Sequence, residues 1–479
     1  MDLANYLPAF VLAFALWITL FKKSKNDMNC ISSLRGPALR SWIYGNMIEF
    51  MLEIPGGETA SQWFGKYGNT FKFHACLGEE KLLTSDPTAI KHILSNPSVF
   101  GKSPAHQFIN LVLFGTGSVL YAQGANHRRI RAVSNPMFSS SNVRSLTPLF
   151  RNIAQNLSDS WCTHSDSVID VYRPIHLTTL RAITEAVMCY ETTSSDEYTL
   201  AYDNLVLAIA QRTKAAVLTG AILSFLPRTV IEFLKNHPPS SMKKFRYHRM
   251  MARQISTRLL EEKRKASEID EESNVNLFNK LVDTNDKAAN KMTDDELHDQ
   301  FGTLAIAGED TTASTLLWIL YALAVNPEWQ DKLRREINNA FHGEPINELD
   351  YDKLPILNAV IKEVLRSHAT IPFTERMASA DATIPLADVV LASNGTRMKE
   401  IKVRKGQTVV ISIMAYNRLS SIWGDDAHEF NPSRWLTKAE RHTETASIGP
   451  YANLLSFLGG PRVCLGWRFA YVFFCRSVS

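Results

Sequence analysis

The sequence has no pair of cysteines at metal-binding or redox spacing. Its six cysteines (Cys30, Cys76, Cys162, Cys189, Cys464, Cys475) are scattered, with no C-x-x-C among them. That scatter argues against a disulfide framework and against a structural zinc site, and it suits reduced thiols facing the cytosol. Charge of one sign is scarce as well. Fifty-two basic residues against 48 acidic ones leave a formal charge of +4, too small an excess to argue for nucleic acid. No Pro-rich or Gly/Ser-rich linker divides the body, and there is no internal repeat. Length alone suggests about three domains. Without linkers, the 479 residues, 45% hydrophobic and 21% charged, fit a single large and mainly helical body better.

One long hydrophobic run is present. Leu3 to Phe21 is almost continuously apolar, with Asn5 the main break, and Lys22, Lys23 and Lys25 follow at once. At 1.5 Å per residue the run reaches roughly 28 Å, just enough for a bilayer core. The lysines after it, with only Asp2 before it, put the rest of the chain on the cytosolic side. A cleaved signal peptide is the rival reading, but a basic n-region and a small-residue cleavage site are missing. Residues 1–25 are therefore read as an anchor with its basic flank, and 26–479 as the globular body. Gly36-Pro37 makes a stiff bend between the two.

Within the body, Thr70 to Leu77 and Lys81 to Thr84 read as two short strands joined at Gly78, and Pro87 to Leu94 as a short helix. Phe100 to Tyr121 has weak periodicity and reads as a loop. The charged end of Met250 to Glu272 reads as a solvated helix face, followed by a polar loop to about Asn290. Ile401 to Ile413, with its Lys405-Gly406 turn, reads as a hairpin.

Four local patterns carry chemistry. In Gly124 to Arg131, His127 and Arg131 are four apart and share a helical face, able to donate to a carboxylate or to form a solvated basic surface. Thr293 and Glu296 form a capping box, after which an apolar helical pattern runs to Val325 and stops at Asn326-Pro327. About thirty residues give a helix near 45 Å long. Its middle holds Ala307-Gly308-Glu309-Asp310-Thr311-Thr312, and a glycine with two threonines is costly in mid-helix. The hydroxyl of Thr311 can bond back to a carbonyl one turn earlier and loosen the ladder, and Asp310 can relay protons through water. A simple kink with incidental polar residues is the alternative. Glu363 and Arg366, three apart, would ordinarily be a surface salt bridge of little worth.

The fourth pattern is Phe457-Leu458-Gly459-Gly460-Pro461-Arg462-Val463-Cys464-Leu465-Gly466. Read alone, Cys464 is a buried free cysteine in a turn. A thiolate in a tight loop can also hold haem iron, tuned by backbone N–H groups. Gly460 and Gly466 would permit positive φ and close approach to a flat macrocycle. Phe457 would pack near the sulfur, and Arg462 is spaced to reach a propionate.

These ten residues match F-x-x-G-x-R-x-C-x-G in full, and the chain resembles the cytochrome P450 family of haem-thiolate monooxygenases. The resemblance implies a mainly α fold with small β-sheets behind one transmembrane helix. It implies haem b ligated by Cys464, His127 and Arg131 toward a propionate with His in place of the usual Trp, and Arg376 as a second propionate arginine. It implies Asp310 and Thr311 as the proton-delivering pair at the place where dioxygen is activated. Glu363, Arg366 and Arg434 become a buried structural triad. Ala307, Gly308, Ile371 and Phe373 border the substrate pocket, Gly308 leaving room for dioxygen and substrate, and the Phe100–Tyr121 loop roofs it. Ala369 and Thr370 stand where the family often has prolines.

The implied activity inserts one oxygen atom of dioxygen into a small lipophilic substrate. NADPH serves through a separate reductase, since no Gly-rich flavin or nicotinamide motif is present. The implied location is the endoplasmic reticulum membrane, single-pass, with the body cytosolic, and the motif set is similar to fungal microsomal members of secondary metabolism. The end departs from the pattern. Thirteen residues follow Gly466, and Phe473 to Ser479 lacks the acidic and apolar pattern expected in the family's helix beneath the haem. The C-terminus is therefore expected to be truncated relative to the family, leaving core exposed. Two other readings stay open: an impaired haem-binding product, favoured by that tail, and a haem-thiolate isomerase or dehydratase, disfavoured by Asp310 and Thr311.

Overall fold

The computed structural model describes residues 30–52, 57–163, 168–188, 190, 193, 195–210, 213–226, 228–236, 242–268, 276–341, 351–436 and 448–478. The expected anchor lies outside them. Among the described residues no single helix is long and apolar enough to cross a membrane. The chain's contacts divide it into two compact units. The first comprises Met1–Ala105, Arg212–Phe233 and Thr374–Ser412, the second His106–Gln211, Leu234–Phe373 and Ile413–Ser479.

The first unit holds the strands. β1 (Thr70–His74) and β2 (Glu80–Thr84) pair antiparallel from Thr70 opposite Thr84, and those two hydroxyls meet at 2.8 Å. Phe71 and Phe73 of β1 are buried. The turn between the strands is made by Leu77 and Gly78, both at positive φ. Buried Asp86 caps the helix Pro87–Ser95 through Ala89 N–H and also accepts from the N–H of Ala387 and Asp388. β3 (Phe100–Gly101), β4 (Phe373–Ala378), β5 (Ala382–Leu391), β6 (Arg397–Val403) and β7 (Thr408–Ser412) follow.

Ile401 to Ile413 is not a hairpin. β6 pairs with β5, while β7 lies between β2 and β4 in a sheet of order β1-β2-β7-β4-β3. Every residue of Thr408–Ser412 is buried, as befits a central strand, whereas β6 is exposed along one face. Gly406, at φ 83°, turns the corner and donates its N–H to the Ala378 carbonyl.

Helices build the second unit: α1 (Gly124–Ser134), α2 (Thr147–Cys162), α3 (Tyr172–Met188), α4 (Glu197–Ala210), α5 (Lys243–Glu268), α6 (Leu277–Lys287), α7 (Asp294–Val325), α8 (Pro355–Ser367) and α9 (Trp467–Val478). The Thr293 capping box forms in both directions, and α7 runs unbroken for 32 residues. At 1.5 Å each that is about 48 Å. α7 packs on α3, α5, α8 and α9.

Three readings of this region are corrected. Pro104–Phe114, expected within a loop, is helical, because Ala105, Phe108 and Leu111 recur every three residues and are buried. The expected polar loop before Asn290 holds α6. Asn276 caps it, and Leu277, Phe278, Leu281 and Val282 form its buried stripe. The tail does supply a helix. In α9, Phe469 and Phe473 are four apart and set their rings edge-on against Phe150 at 4.9 and 5.2 Å, so three aromatics provide the apolar stripe. Phe474 and Cys475 are buried, and the Arg476 guanidinium lies 3.6 Å from the centre of the Tyr351 ring.

Candidate active site

The loop before α9 is wound tightly around its cysteine. Short 3₁₀ turns form at Leu455–Phe457 and Gly460–Arg462, and Leu458 and Gly460 are both at positive φ. Leu458 reaches φ 58° and ψ −167° without being glycine, a conformation costing about 1–3 kcal/mol that the loop must hold. Gly466 is not at positive φ, contrary to the expectation from sequence. It contributes an N–H that favours the ionised Cys464 sulfur. The Cys464 N–H donates to the Phe457 carbonyl at 2.9 Å, which fixes the phenylalanine relative to the thiol.

Cys464 has accessible surface although it is seated deep in protein. Protein closely surrounds the sulfur while part of the residue stays open to solvent. Burial is the largest influence and raises the thiol pKa, while the Gly466 N–H and the Arg131 charge pull it down. Arg131 projects from α1, half-buried. Burial lowers its pKa and the proximity of Cys464 raises it. Arg462 is lowered by burial and by the neighbouring Arg131, and it donates to the Ala122 carbonyl at 2.8 Å.

Neither guanidinium forms an ion pair with a carboxylate among the described residues. Two desolvated arginines beside an unpaired thiol form a cationic, sulfur-bearing recess. That donor set fits a planar group carrying a metal that takes thiolate and acidic arms that take arginine. His127, one turn before Arg131 on α1, is buried. Arg376 is on β4 in the first unit, where its Nη1 donates to Thr374 Oγ1 and to the Glu375 carbonyl.

Glu363 and Arg366 sit on α8 with no exposure at all. All five N–H groups of Arg366 are used: Nε and Nη2 on Glu363, Nη1 on the Asn417 and Ala427 carbonyls, Nη2 again on the Glu429 carbonyl. Glu363 also accepts from Arg434 Nε at 3.1 Å, Trp435 Nε1 at 2.9 Å and the Asn431 N–H at 2.8 Å. Sequence reasoning missed two partners. Asp426 takes Arg434 through Nη1 and Nη2, and Asn417 accepts the Leu455 N–H and donates to Ser456. The triad thus reaches the 3₁₀ turn that opens the cysteine loop.

On α7, Thr311 Oγ1 donates to the Ala307 carbonyl at 2.9 Å, and Thr315 Oγ1 repeats the bond to Thr311. The Thr311 back-bond is the one expected from sequence, and the helix stays continuous through both threonines. Thr315 Oγ1 also lies 3.0 Å from Thr370 Oγ1, a link open only because Thr370 is not proline. Ala307 is exposed, but Gly308 is not a gap. A Cβ there would come within 2.7 Å of Ile183 Cδ1, so Gly308 admits α3 against α7. Glu309, which sequence reasoning passed over, is fully buried and accepts from His176 on α3 and Tyr202 on α4. Ile371 is exposed and Phe373 half-buried. α9, which leaves the cysteine loop directly, packs on α7. A separate cavity of about 920 Å³ is lined by Trp435, Tyr451, Trp467 and Arg476, and by none of Cys464, Asp310 or Thr311.

Residues 35–473 match the sequence profile described as cytochrome P450. Cytochrome P450 monooxygenase 205 of Postia placenta is 31% identical, covering 97% of this chain and 88% of its own length. Cytochrome P450 monooxygenase 91 of the same fungus is 30% identical over 92% and 85%. Cytochrome P450 monooxygenase claW of Ampulloclitocybe clavipes is 29% identical over 99% and 89%.

Proposed function

The chain belongs to the cytochrome P450 family, and from that premise we propose that it oxygenates a small lipophilic substrate in fungal secondary metabolism while anchored to the endoplasmic reticulum by Leu3 to Phe21. The observation that carries the reading is the recess in which Cys464 meets the Gly466 N–H and the Arg131 charge, with Arg462 next to Arg131 and neither arginine in an ion pair with a carboxylate among the described residues. Haem bound there through the Cys464 thiolate supplies reductive activation of dioxygen, with electrons passed from NADPH by a reductase.

The protein's own residues have separable tasks. Arg131 and Arg462 hold acidic arms, and the Gly466 N–H keeps the sulfur ionised. The Glu363–Arg366–Arg434 network holds the backbone that carries the loop. Thr311 offers a hydroxyl and Asp310 a carboxylate that can move a proton. The relatives' names as fungal monooxygenases support the reaction class and the setting.

The test is co-expression with a fungal reductase and incubation of membranes with lipophilic candidates under isotopically labelled dioxygen. NADPH-dependent transfer of one labelled oxygen into product is expected, and an oxygenated product without label, its oxygen taken from water, would contradict the reading. For the anchor, full-length protein should resist carbonate extraction. Asn156-Leu157-Ser158 and Asn394-Gly395-Thr396 should remain unglycosylated. A mass change on endoglycosidase treatment would reverse the topology.

A further inference from the structure

We infer that His176 and Glu309 form a proton relay that serves Asp310, three helices having brought together groups that are far apart in sequence. The inference rests on the monooxygenase reading above. His176 Nδ1 lies 2.7 Å from Glu309 Oε1, and the Tyr202 hydroxyl donates to Glu309 Oε2. One ring nitrogen of His176 and one carboxylate oxygen each of Glu309 and Asp310 lie within 4.8 Å of one another. His176 Nε2 is buried and has no hydrogen-bond partner among the described residues. The ring itself keeps 12% exposure and lies 4.3 Å, centre to centre, from the exposed Tyr172 ring. The relay therefore spans from near the surface to the residue before Asp310.

A divalent cation would find a nitrogen and two carboxylates here, but both Glu309 oxygens already accept a hydrogen bond, and a cation would have to displace both donors. Proton storage needs no such displacement. Burial pushes Glu309 upward, against the hydrogen bonds from His176 and Tyr202 that pull it down. Burial works to lower His176, but the hydrogen bond and charge of Glu309, with Asp310 and Asp203, outweigh it and hold the imidazole above its ordinary value. The 2.7 Å contact, with His176 held upward, lets the pair store one proton beyond a neutral imidazole and a carboxylate.

The other groups facing the pair are Tyr172 and Arg173 on α3, Tyr198, Tyr202 and Asp203 on α4, and Asp310 on α7, with His248 of α5 against the two α4 tyrosine rings. Passing the proton to the Asp310 carboxylate leaves the pair as neutral imidazole and carboxylate, one negative charge in all. Water then returns a proton at His176.

The experiment uses the full-length chain with reductase and NADPH, and follows product formed per NADPH from about pH 6 to 9, the range around ordinary histidine titration. In the wild type the ratio should fall as pH rises through the titration of the pair. Glu309→Gln should move that fall down by about one pH unit, the effect of one lost opposite charge. Tyr202→Phe should move it up, since Glu309 loses a donor that favours its charged form. Tyr202→Phe also decides the matter if Glu309→Gln does not fold. A ratio lowered equally at all pH values, with an unmoved midpoint, would make the cluster merely structural and overturn the relay.

A second readout needs no turnover. In histidine-labelled protein the resonance lost in His176→Phe should titrate at lower pH in Glu309→Gln and in Asp310→Asn, and an unmoved titration overturns the relay. Absence of oxygenated product from the wild type would fail the monooxygenase reading instead. The titration would still decide whether the three groups share a proton.

Discussion

Replacing Glu363 by glutamine would leave one of the most completely buried cations in the chain without its counter-charge. Glu363 and Arg366 both have 0% side-chain exposure, and Arg366 makes two bonds to the carboxylate, at 2.8 and 2.9 Å. Asp426 cannot substitute, because Arg434 occupies it. Removing one partner of a buried pair costs about 3–5 kcal/mol, chiefly through the uncompensated charge left behind. A typical domain has about 5–15 kcal/mol in all. Glu363→Gln should therefore unfold at markedly lower temperature and denaturant. It should also carry less haem per chain after purification, because Asn417 and Ser456 tie this network to the cysteine loop. The double variant Glu363→Gln with Arg366→Met should recover part of the loss, since it removes the stranded charge. A single variant within about 0.5 kcal/mol of wild type, the range of ordinary surface substitutions, would refute the reasoning. So would a double variant worse than the sum of its parts.

Phe473→Ala should destabilise the protein by about 3–5 kcal/mol, the usual cost of emptying a fully buried aromatic site, as read by denaturant unfolding. A loss under about 1 kcal/mol would mean that α9 does not pack as described. Burial pushes His248 down to about 4 from an ordinary 6.5, so the folded state resists its protonation. Its stabilising contribution is full above about pH 6.5 and is lost as pH falls toward 4, and His248→Gln should flatten unfolding free energy across that window. An unchanged slope would remove His248 from the acid response. Thr311→Val deletes the hydroxyl that bonds to Ala307 and should divert NADPH consumption from product to hydrogen peroxide. An unchanged product yield per NADPH would show that the hydroxyl is dispensable.

Features set by neighbouring residues were legible in the sequence. The capping box at Thr293 and Glu296, the stop at Asn326-Pro327 and the spacing of Glu363 to Arg366 each act within one or two turns of chain. What depends on distant partners was not. Nothing local to Ile401–Ile413 says that β7 joins β2 rather than β6. Gly308 looked like room beside a cofactor because Ile183, which fills the space, is 125 positions away. Glu309 was passed over between two motif residues, and its partners come from two other helices. A charged residue on the inward side of an otherwise apolar helix was the signal available. α9 was misjudged because its stripe is aromatic and its receiving surface, Phe150, lies on another helix.

The central claim is that Cys464 is the thiolate that holds haem iron. Its most direct test is the absorption spectrum of the reduced carbon monoxide complex of the full-length protein, beside that of Cys464→His. The wild type should show the red-shifted band that thiolate ligation gives, and the variant should bind haem without that band. A variant that keeps the band, or a wild type that binds haem and lacks it, would contradict the assignment.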